Sequence, residues 1–182
     1  MSILKRFTFL ISILLSPFSC SSWGQSPKVL PDHVRCEDPS FHQKVLQMVS
    51  LSIPVMDVEE LNNIQDEVYI FDAREKEEYE VSHIPGARYL GYQSVDLDAL
   101  RNVPSDATVV VYCSIGYRSE KIGEQLKNKG FTNVHNLYGS IFEWANRGYG
   151  LEGKDGHPTT RIHTYNKNWS KWMLNDALVK IW

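Results

Sequence analysis

A cysteine follows an apolar run near the middle of the chain. The run is Val109-Val110-Val111-Tyr112, and Cys113 comes directly after it. Such a run, rich in β-branched residues, predicts a strand that is buried on both faces of a parallel sheet. The segment from Ser119 to Lys129 is expected to form a helix, with Ser119 as its N-cap and Gly130 as its C-terminal stop.

The short loop between this strand and this helix would place the thiol of Cys113 beneath a helix N-terminus and several backbone N–H groups. Such a position stabilises negative charge. The thiol is therefore expected to ionise below its free pKa of ~8.5 and to act as a nucleophile near neutral pH. The competing interpretation is an inert, small apolar residue at a strand end.

Strands and helices alternate along the chain around this segment. The predicted strands are 53–56, 68–71 (ending at Asp72), 87–90, 108–112 and 133–137, and the predicted helices are 40–49, 58–64, 75–80, 95–101, 119–129 and 140–147. From residue 53 onward, the alternation predicts an α/β fold with a doubly wound parallel sheet and helices on both faces. Ligands of such sheets bind at the carboxyl ends of the strands, where Cys113 lies.

The composition is that of an ordinary globular protein. The chain has 182 residues, of which 42% are hydrophobic and 23% are charged, and its net charge is −3. This charge gives no indication of a nucleic-acid partner. The length suits one domain with appendages, and we find no internal repeat.

Residues 1–24 have the features of a signal peptide. Lys5 and Arg6 form a basic start, and 7–15 is an apolar run that is too short to span a bilayer. Cleavage before Gln25 would export the protein to the periplasm or the medium. The alternatives are lipidation at Cys20, which would bring the protein to a membrane, and a retained N-terminal anchor.

Residues 25–52 are predicted to be an arm that contains a linker and the short helix 40–49. Asp38 is the expected N-cap, with Pro39 at the first helical position. His33, Cys36 and His42 match no closed zinc pattern in their spacing, so no metal is expected. Cys36 would either pair with Cys113 in an oxidising compartment or be a spare thiol.

Residues 151–182 are predicted to form an aromatic-rich extension. The last part of this extension is expected to form a helix. Its apolar residues would lie on one side of that helix: Met173, Leu174, Ala177, Leu178 and Ile181. Trp169, Trp172 and Trp182 lie close to them in the sequence. This helix would either fold back onto the domain or contact a partner protein or a membrane surface.

Two motifs make residues 53–150 resemble the rhodanese domain of single-domain sulfurtransferases. Residues 72–87 are similar to the family signature D-x-R…E-[YF]…H-I-P-G-A, and residues 113–119 (CSIGYRS) are similar to its active-site loop. The resemblance implies a five-stranded sheet and sulfane-sulfur transfer. Cys113 would take sulfur from thiosulfate or a related donor as a persulfide and pass it to cyanide or a thiol, without a cofactor.

The resemblance also implies roles for individual residues. Cys113 would be catalytic, and the loop N–H groups would cradle its sulfur, with Gly116 allowing close approach of the backbone. Arg118 would clamp the oxyanion end of thiosulfate; alternatively, it pairs with Glu120 or is solvated. The expected substrate-binding residues are Ser114, Ile115, Gly116, Tyr117, Arg118 and Ser119.

Four residues of the first motif are expected to support the site: Asp72, Arg74, Glu78 and His83. The family resemblance suggests that Arg74 pairs with Glu78, one helical turn on. For His83, the two interpretations are a turn histidine that is bonded to the backbone and a general base.

The spacing of the loop separates two chemistries. Cysteine-dependent phosphatases resemble C-x5-R, whereas Arg118 stands only five positions after Cys113. Phosphatase activity is therefore not expected. Two other functions remain open: a rhodanese module that carries sulfur or binds a protein without turnover, and a redox protein that works through Cys113 and Cys36.

Overall fold

A computed structural model describes residues 29–182. Five parallel strands form its main sheet in the order β1-β5-β4-β2-β3. They are β1 (Val55–Met56), β2 (Tyr69–Asp72), β3 (Arg88–Tyr89), β4 (Val109–Tyr112) and β5 (Val134–Leu137). The predicted five-stranded, doubly wound parallel sheet is confirmed.

Helices cover both faces of this sheet. They are α1 (Pro39–Met48), α2 (Val58–Ile64), α3 (Lys76–Val81), α4 (Tyr117–Asn128) and α5 (Ser140–Asn146). The central strand β4 is fully buried, and its residues alternate between two apolar clusters. Val110 and Tyr112 join the cluster that holds the buried residues of α1, α2 and α5, whereas Val109 and Val111 join the cluster that holds those of α4.

The predicted helix 95–101 is wrong in type. Only a 3₁₀ turn forms there, over Leu97–Leu100, and the side chain of Asp96 caps it by accepting the N–H of Asp98 at 3.0 Å. Leu100 is buried against the sheet while Leu97 is 48% exposed. One buried leucine is enough to hold a single turn but not a longer amphipathic helix.

The N-terminal arm packs on the domain more closely than a linker would. Asp38 caps α1 as predicted, since its Oδ1 accepts the Phe41 N–H at 2.7 Å. Val34 and Cys36 are both buried in the apolar cluster around Phe41, although the linker interpretation placed them in solvent.

The predicted C-terminal helix is wrong. Residues 151–182 hold a 3₁₀ turn over Ser170–Trp172 and two short parallel strands, β6 (Arg161–His163) and β7 (Val179–Ile181). The backbone N–H of Leu174 donates to Asn146 at 2.7 Å rather than to a carbonyl one turn earlier. Met173 is buried in the main apolar cluster, so the segment does fold back onto the domain.

Tertiary partners therefore replace the helical hydrogen bonds of this segment. Asn175 donates through Nδ2 to the carbonyl of Ala145 at 2.8 Å, and the N–H of Val179 donates to the carbonyl of Thr160 at 2.8 Å. A helix over 173–181 would be too short to have much intrinsic stability, so it does not resist such contacts. A partner protein that contacts this segment stays a prediction.

The predicted leader and Cys20 lie outside the described residues, so export also stays a prediction. Within residues 29–182, no helix is both long enough and apolar enough to cross a bilayer.

Candidate active site

The carboxyl end of β4 holds Cys113, whose backbone is fixed on both sides. Its N–H donates to Ser140 Oγ at 3.1 Å, and its carbonyl accepts the N–H of Ile141 at 3.2 Å. Both partners lie at the start of α5, which follows the neighbouring strand β5. Ser140 is held at a φ of 52° and is fully buried. Cys113 is thus positioned by the strand that carries it and by the next helix in space.

The loop folds its amides around the sulfur. The N–H of Gly116 points at Cys113 Sγ, at 3.2 Å. Gly116 has a φ of 117°, and a Cβ there would lie 3.2 Å from the side chain of Val49 and 3.4 Å from that of Asn136. Asn136 donates through Nδ2 to the Gly116 carbonyl at 2.9 Å and so holds the turn closed. Gly116, not Ser119, occupies the N-cap position of α4.

Ser119 is a buried residue inside α4 rather than its cap. Its hydroxyl lies 2.7 Å from Asn136 Oδ1. Because Asn136 uses its NH₂ group on Gly116, its oxygen accepts the single hydroxyl proton of Ser119. Ser119 also lies close enough to the sulfur of Cys113 to lower its pKa. Because the hydroxyl proton is used on Asn136, the backbone N–H of Ser119 is the group that can act on the sulfur.

The surroundings favour the thiolate form of Cys113. Burial of the sulfur acts to raise its pKa, but the positive charge of Arg118 and the hydrogen bonds from Ser119 and Gly116 outweigh this effect. The net result is a pKa of Cys113 below its usual value. This direction agrees with the expectation for a thiol at a helix N-terminus.

Arg118 forms a bidentate ion pair with Glu78 of α3. Nη1 lies 2.6 Å from Oε2 and Nη2 lies 2.9 Å from Oε1, and Nη2 also donates to Ser114 Oγ at 3.0 Å. Both side chains are largely buried. The alternative partner, Glu120, accepts hydrogen bonds from Ser50 and Ser52, so the predicted pairing of Arg118 with Glu120 and its solvated form are both wrong.

The support residues pair differently from the family-based expectation. Arg74 is fully buried and binds Asp72, with Nη2 at 2.6 Å from Oδ2, and it donates to the carbonyl of Ser82 at 2.6 Å. The direct Arg74–Glu78 pair is wrong, because Glu78 binds Arg118. The Asp72–Arg74 pair instead ties the end of β2 to the end of α3.

His83 lies in the turn after α3. Its Nδ1 is 3.1 Å from the carbonyl oxygen of Tyr79, and its ring stacks on the Tyr79 ring with centroids 4.0 Å apart. These contacts match the description of a turn histidine that is bonded to the backbone, and His83 is absent from the lining of the cavity described next.

A cavity of about 320 Å³ opens above the sulfur. Only 1% of Cys113 is exposed, and Cys113 lines this cavity, so the cavity is what gives access to its sulfur. The loop residues Ser114, Ile115, Tyr117 and Arg118 form one side. The remaining lining residues, which sequence reasoning missed, are Met48, Tyr92, Tyr165 and Trp169.

The other cysteine of the described region lies elsewhere. Cys36 and Cys113 are both free thiols, so the predicted alternative of a disulfide between them is wrong in this structure. Burial, together with the nearby carboxylate of Glu143, holds the pKa of Cys36 well above its usual range. Within residues 29–182, no group of three or more His, Cys, Asp or Glu side chains is placed to hold a metal ion.

Known proteins share both the sequence and the fold of this region. The Rhodanese-like domain family matches residues 57–147. A rhodanese-like/PpiC domain-containing protein 12 of Arabidopsis thaliana, from the chloroplast, is 33% identical over 121 residues, which cover 59% of this chain but only 40% of that protein. The thiosulfate sulfurtransferase GlpE of Pseudomonas fluorescens is 32% identical over 89 residues, which cover 49% of this chain and 80% of that protein.

Among solved structures, a thiosulfate sulfurtransferase from Pseudomonas aeruginosa is similar to this chain with a TM-score of 0.53 and 25% identity. The match covers 74% of this chain and 26% of that one. The family match covers half of the sequence and includes the Cys113 loop, its flanking elements and the supporting pairs. The chain therefore belongs to the rhodanese-like domain family.

Proposed function

We propose that this protein is a sulfurtransferase that carries sulfane sulfur on Cys113 as a persulfide. One observation supports this most strongly: a thiol with a lowered pKa lies under the Gly116 amide, at the floor of a cavity. A thiolate is the form of cysteine that attacks sulfur. The names of the sulfurtransferase relatives agree with this chemistry.

In the first half-reaction, the Cys113 thiolate attacks the outer sulfur of a donor such as thiosulfate. The Sγ–S bond forms as the S–S bond of thiosulfate breaks, and the electron pair of that bond leaves with sulfite. The product is an anionic persulfide on Cys113. The N–H groups of Gly116 and Ser119 and the charge of Arg118 would stabilise it, since the transferred sulfur carries the negative charge.

In the second half-reaction, an acceptor nucleophile attacks the outer sulfur of the persulfide. With cyanide, a C–S bond forms and thiocyanate leaves, and the Cys113 thiolate is regenerated. A thiolate acceptor reacts in the same way and leaves as its own persulfide. The two half-reactions share one covalent intermediate and should give ping-pong kinetics.

The intact mass of the protein before and after a sulfane donor tests this proposal. Wild type should gain one sulfur atom, located on Cys113 by peptide mapping, and should lose it when cyanide is added. The Cys113→Ala variant should gain none, whereas Cys36→Ser is the matched control and should behave as wild type.

Each other outcome points to a different function. A wild-type protein that gains no sulfur from any donor would contradict the proposal. Sulfur that loads but is never released to a small acceptor would indicate a carrier module. Loss of transfer in Cys36→Ser would indicate the redox function.

A further inference from the structure

The walls of the cavity are mainly apolar and aromatic, although its floor carries charges. Met48, Tyr92, Ile115, Tyr117, Tyr165 and Trp169 make up six of its nine lining residues. Its volume of about 320 Å³ lies at the lower end of pockets that enclose small organic ligands. A small inorganic anion would leave most of this apolar wall uncovered.

The charged groups at the floor of the cavity would attract a dianion such as thiosulfate only weakly. Arg118 is the one cation among the lining residues, and both of its terminal nitrogens already contact the Glu78 carboxylate. The Cys113 thiolate adds a second negative charge beside the same guanidinium. Thiosulfate would bring two more negative charges to this group, and buried charges without partners are strongly disfavoured.

Part of the wall comes from outside the family-matched region 57–147. Met48 ends α1, and Tyr165 and Trp169 lie in the C-terminal extension. Tyr165 adopts a φ of 64°, and its N–H donates to His163 Nδ1 at 3.1 Å. Its ring lies over the Arg118 guanidinium, 5.3 Å from ring centroid to Cζ. The extension thus places an aromatic ring directly beside the loop that holds the sulfur.

The backbone of Trp169 is held in a similar way. Its N–H donates to the backbone carbonyl and the side-chain oxygen of Asn166, at 3.1 and 3.2 Å, and Lys44 Nζ lies 5.5 Å from the centre of its ring. The backbone of both residues is therefore held by local hydrogen bonds, and each ring lies beside a cation.

From these observations we infer that the cavity selects a small organic persulfide with an apolar or aromatic body, in preference to thiosulfate, and that Tyr165 and Trp169 determine this preference. The inference rests on the proposed function. The Cys113 thiolate would attack the outer sulfur of the hydropersulfide R–S–SH. The Sγ–S bond forms as the donor S–S bond breaks, the electron pair leaves with the thiolate RS⁻, and the proton stays on the transferred sulfur.

The experiment measures how fast Cys113 gains sulfur from three donors, by rapid mixing, acid quench and intact mass. Benzyl hydropersulfide and methyl hydropersulfide share one reactive group and differ in their apolar body, and thiosulfate supplies the dianion. Each rate is divided by the rate of the same donor with a free small thiol. Wild type should favour the benzyl over the methyl donor by about tenfold and should use thiosulfate least.

Tyr165→Asn removes the ring while keeping a residue that tolerates positive φ. It should reduce the benzyl-to-methyl ratio by about fivefold, which is within the range for loss of part of an apolar pocket. Tyr165→Phe keeps the ring and should therefore keep the wild-type benzyl-to-methyl ratio. Trp182→Ala, an exposed tryptophan outside the cavity, is the matched control and should leave the ratio unchanged.

The outcomes separate this inference from the proposed function. If wild type loads equally well from both organic donors, or best from thiosulfate, the inference is wrong while the sulfurtransferase proposal stands. Equal losses for the benzyl and methyl donors in Tyr165→Asn would also overturn it. If no donor adds sulfur to Cys113, the proposed function fails and the inference fails with it.

Discussion

The guanidinium of Arg118 and the carboxylate of Glu78 face each other through two contacts, of 2.6 and 2.9 Å. One residue belongs to the loop around Cys113, and the other belongs to α3, which lies far away in the sequence. Their pairing joins the two sequence motifs into one site. The positive charge of Arg118 therefore interacts with the Glu78 carboxylate and also lowers the pKa of Cys113.

This ion pair should make folding stability depend on pH. Burial acts to raise the pKa of Glu78, but Arg118 and other contacts lower it below its usual value. The stabilisation is therefore present above the unfolded-state pKa of about 4.3 and is lost as pH falls through the lower folded-state pKa. Glu78→Gln should cost about 3 kcal/mol at pH 7, because it leaves a buried guanidinium without its partner.

Urea unfolding of wild type and Glu78→Gln across pH checks this prediction. The difference between the two should begin to shrink below about pH 4.3, where Glu78 of the unfolded chain becomes protonated, and should keep shrinking as pH falls through the lower pKa of the folded protein. Asp98→Asn removes an exposed ion pair with Arg101 and should change the free energy of unfolding very little. A difference between wild type and Glu78→Gln that stays constant down to pH 2 would contradict the account.

The charge of Arg118 should also set the reactivity of Cys113. The double variant Arg118→Gln/Glu78→Gln removes both charges of the ion pair, so neither partner is left buried with an unpaired charge. The sulfur of Cys113 loses the positive charge that lowers its pKa. The pH midpoint of Cys113 alkylation by iodoacetamide should lie below the free value of ~8.5 in wild type and should rise in the double variant, because the positive charge of Arg118 lowers the pKa of the thiol. Cys36 should stay unlabelled in the folded protein, because burial raises its pKa.

Lys121→Gln provides the control for this measurement. It removes a more exposed cation of the same helix, which pairs with Glu124, and the midpoint should stay at the wild-type value. An unchanged midpoint in the double variant would mean that the loop amides alone hold the thiolate.

The turn at Gly116 should tolerate no side chain. Gly116→Ala forces a Cβ against Val49 and Asn136 at a φ of 117°, and strain of this kind costs about 1–3 kcal/mol. Because Gly116 donates to the sulfur, we also expect sulfur loading of Cys113 to slow by about tenfold or more.

Gly130→Ala separates the two effects in Gly116→Ala. Gly130 has a similar φ of 101° but no heavy atom within 4 Å of the added Cβ. This variant should lose stability through backbone strain alone and should load sulfur at the wild-type rate. Equal loading rates in the two variants would show that the Gly116 amide does not position the sulfur.

The C-terminal extension should contribute strongly to folding. Met173 is 1% exposed in the main apolar cluster, while its neighbour Leu174 is 45% exposed. Met173→Ala should destabilise the protein by about 2–4 kcal/mol, and Leu174→Ala by less than about 0.5 kcal/mol. Thermal or urea unfolding measures both, and deletion of 165–182 should destabilise more than either. Equal effects of the two substitutions would contradict the observed packing.

Local patterns in the sequence were sufficient for most of the fold. The apolar run 109–112 predicted the central strand, and the helix over 58–64 matches in both of its bounds. The failures came where distant residues compete for the backbone. In the C-terminal extension, Asn146 takes the N–H of Leu174 that a helix would need. An amphipathic pattern over one short segment carries no information about such a competitor.

By itself, the sequence determined the family resemblance and the candidate reactive group: a cysteine after a buried strand, a loop of defined length, and the motifs that resemble one family. Only the tertiary structure decided which groups meet. It paired Arg118 with Glu78 and Arg74 with Asp72, placed Ser140 under the backbone of Cys113, and brought Tyr165 and Trp169 over the cavity. The physical reason is that Cys113 and its loop are neighbours along the chain, whereas the ion pairs and the cavity walls join residues from separate elements.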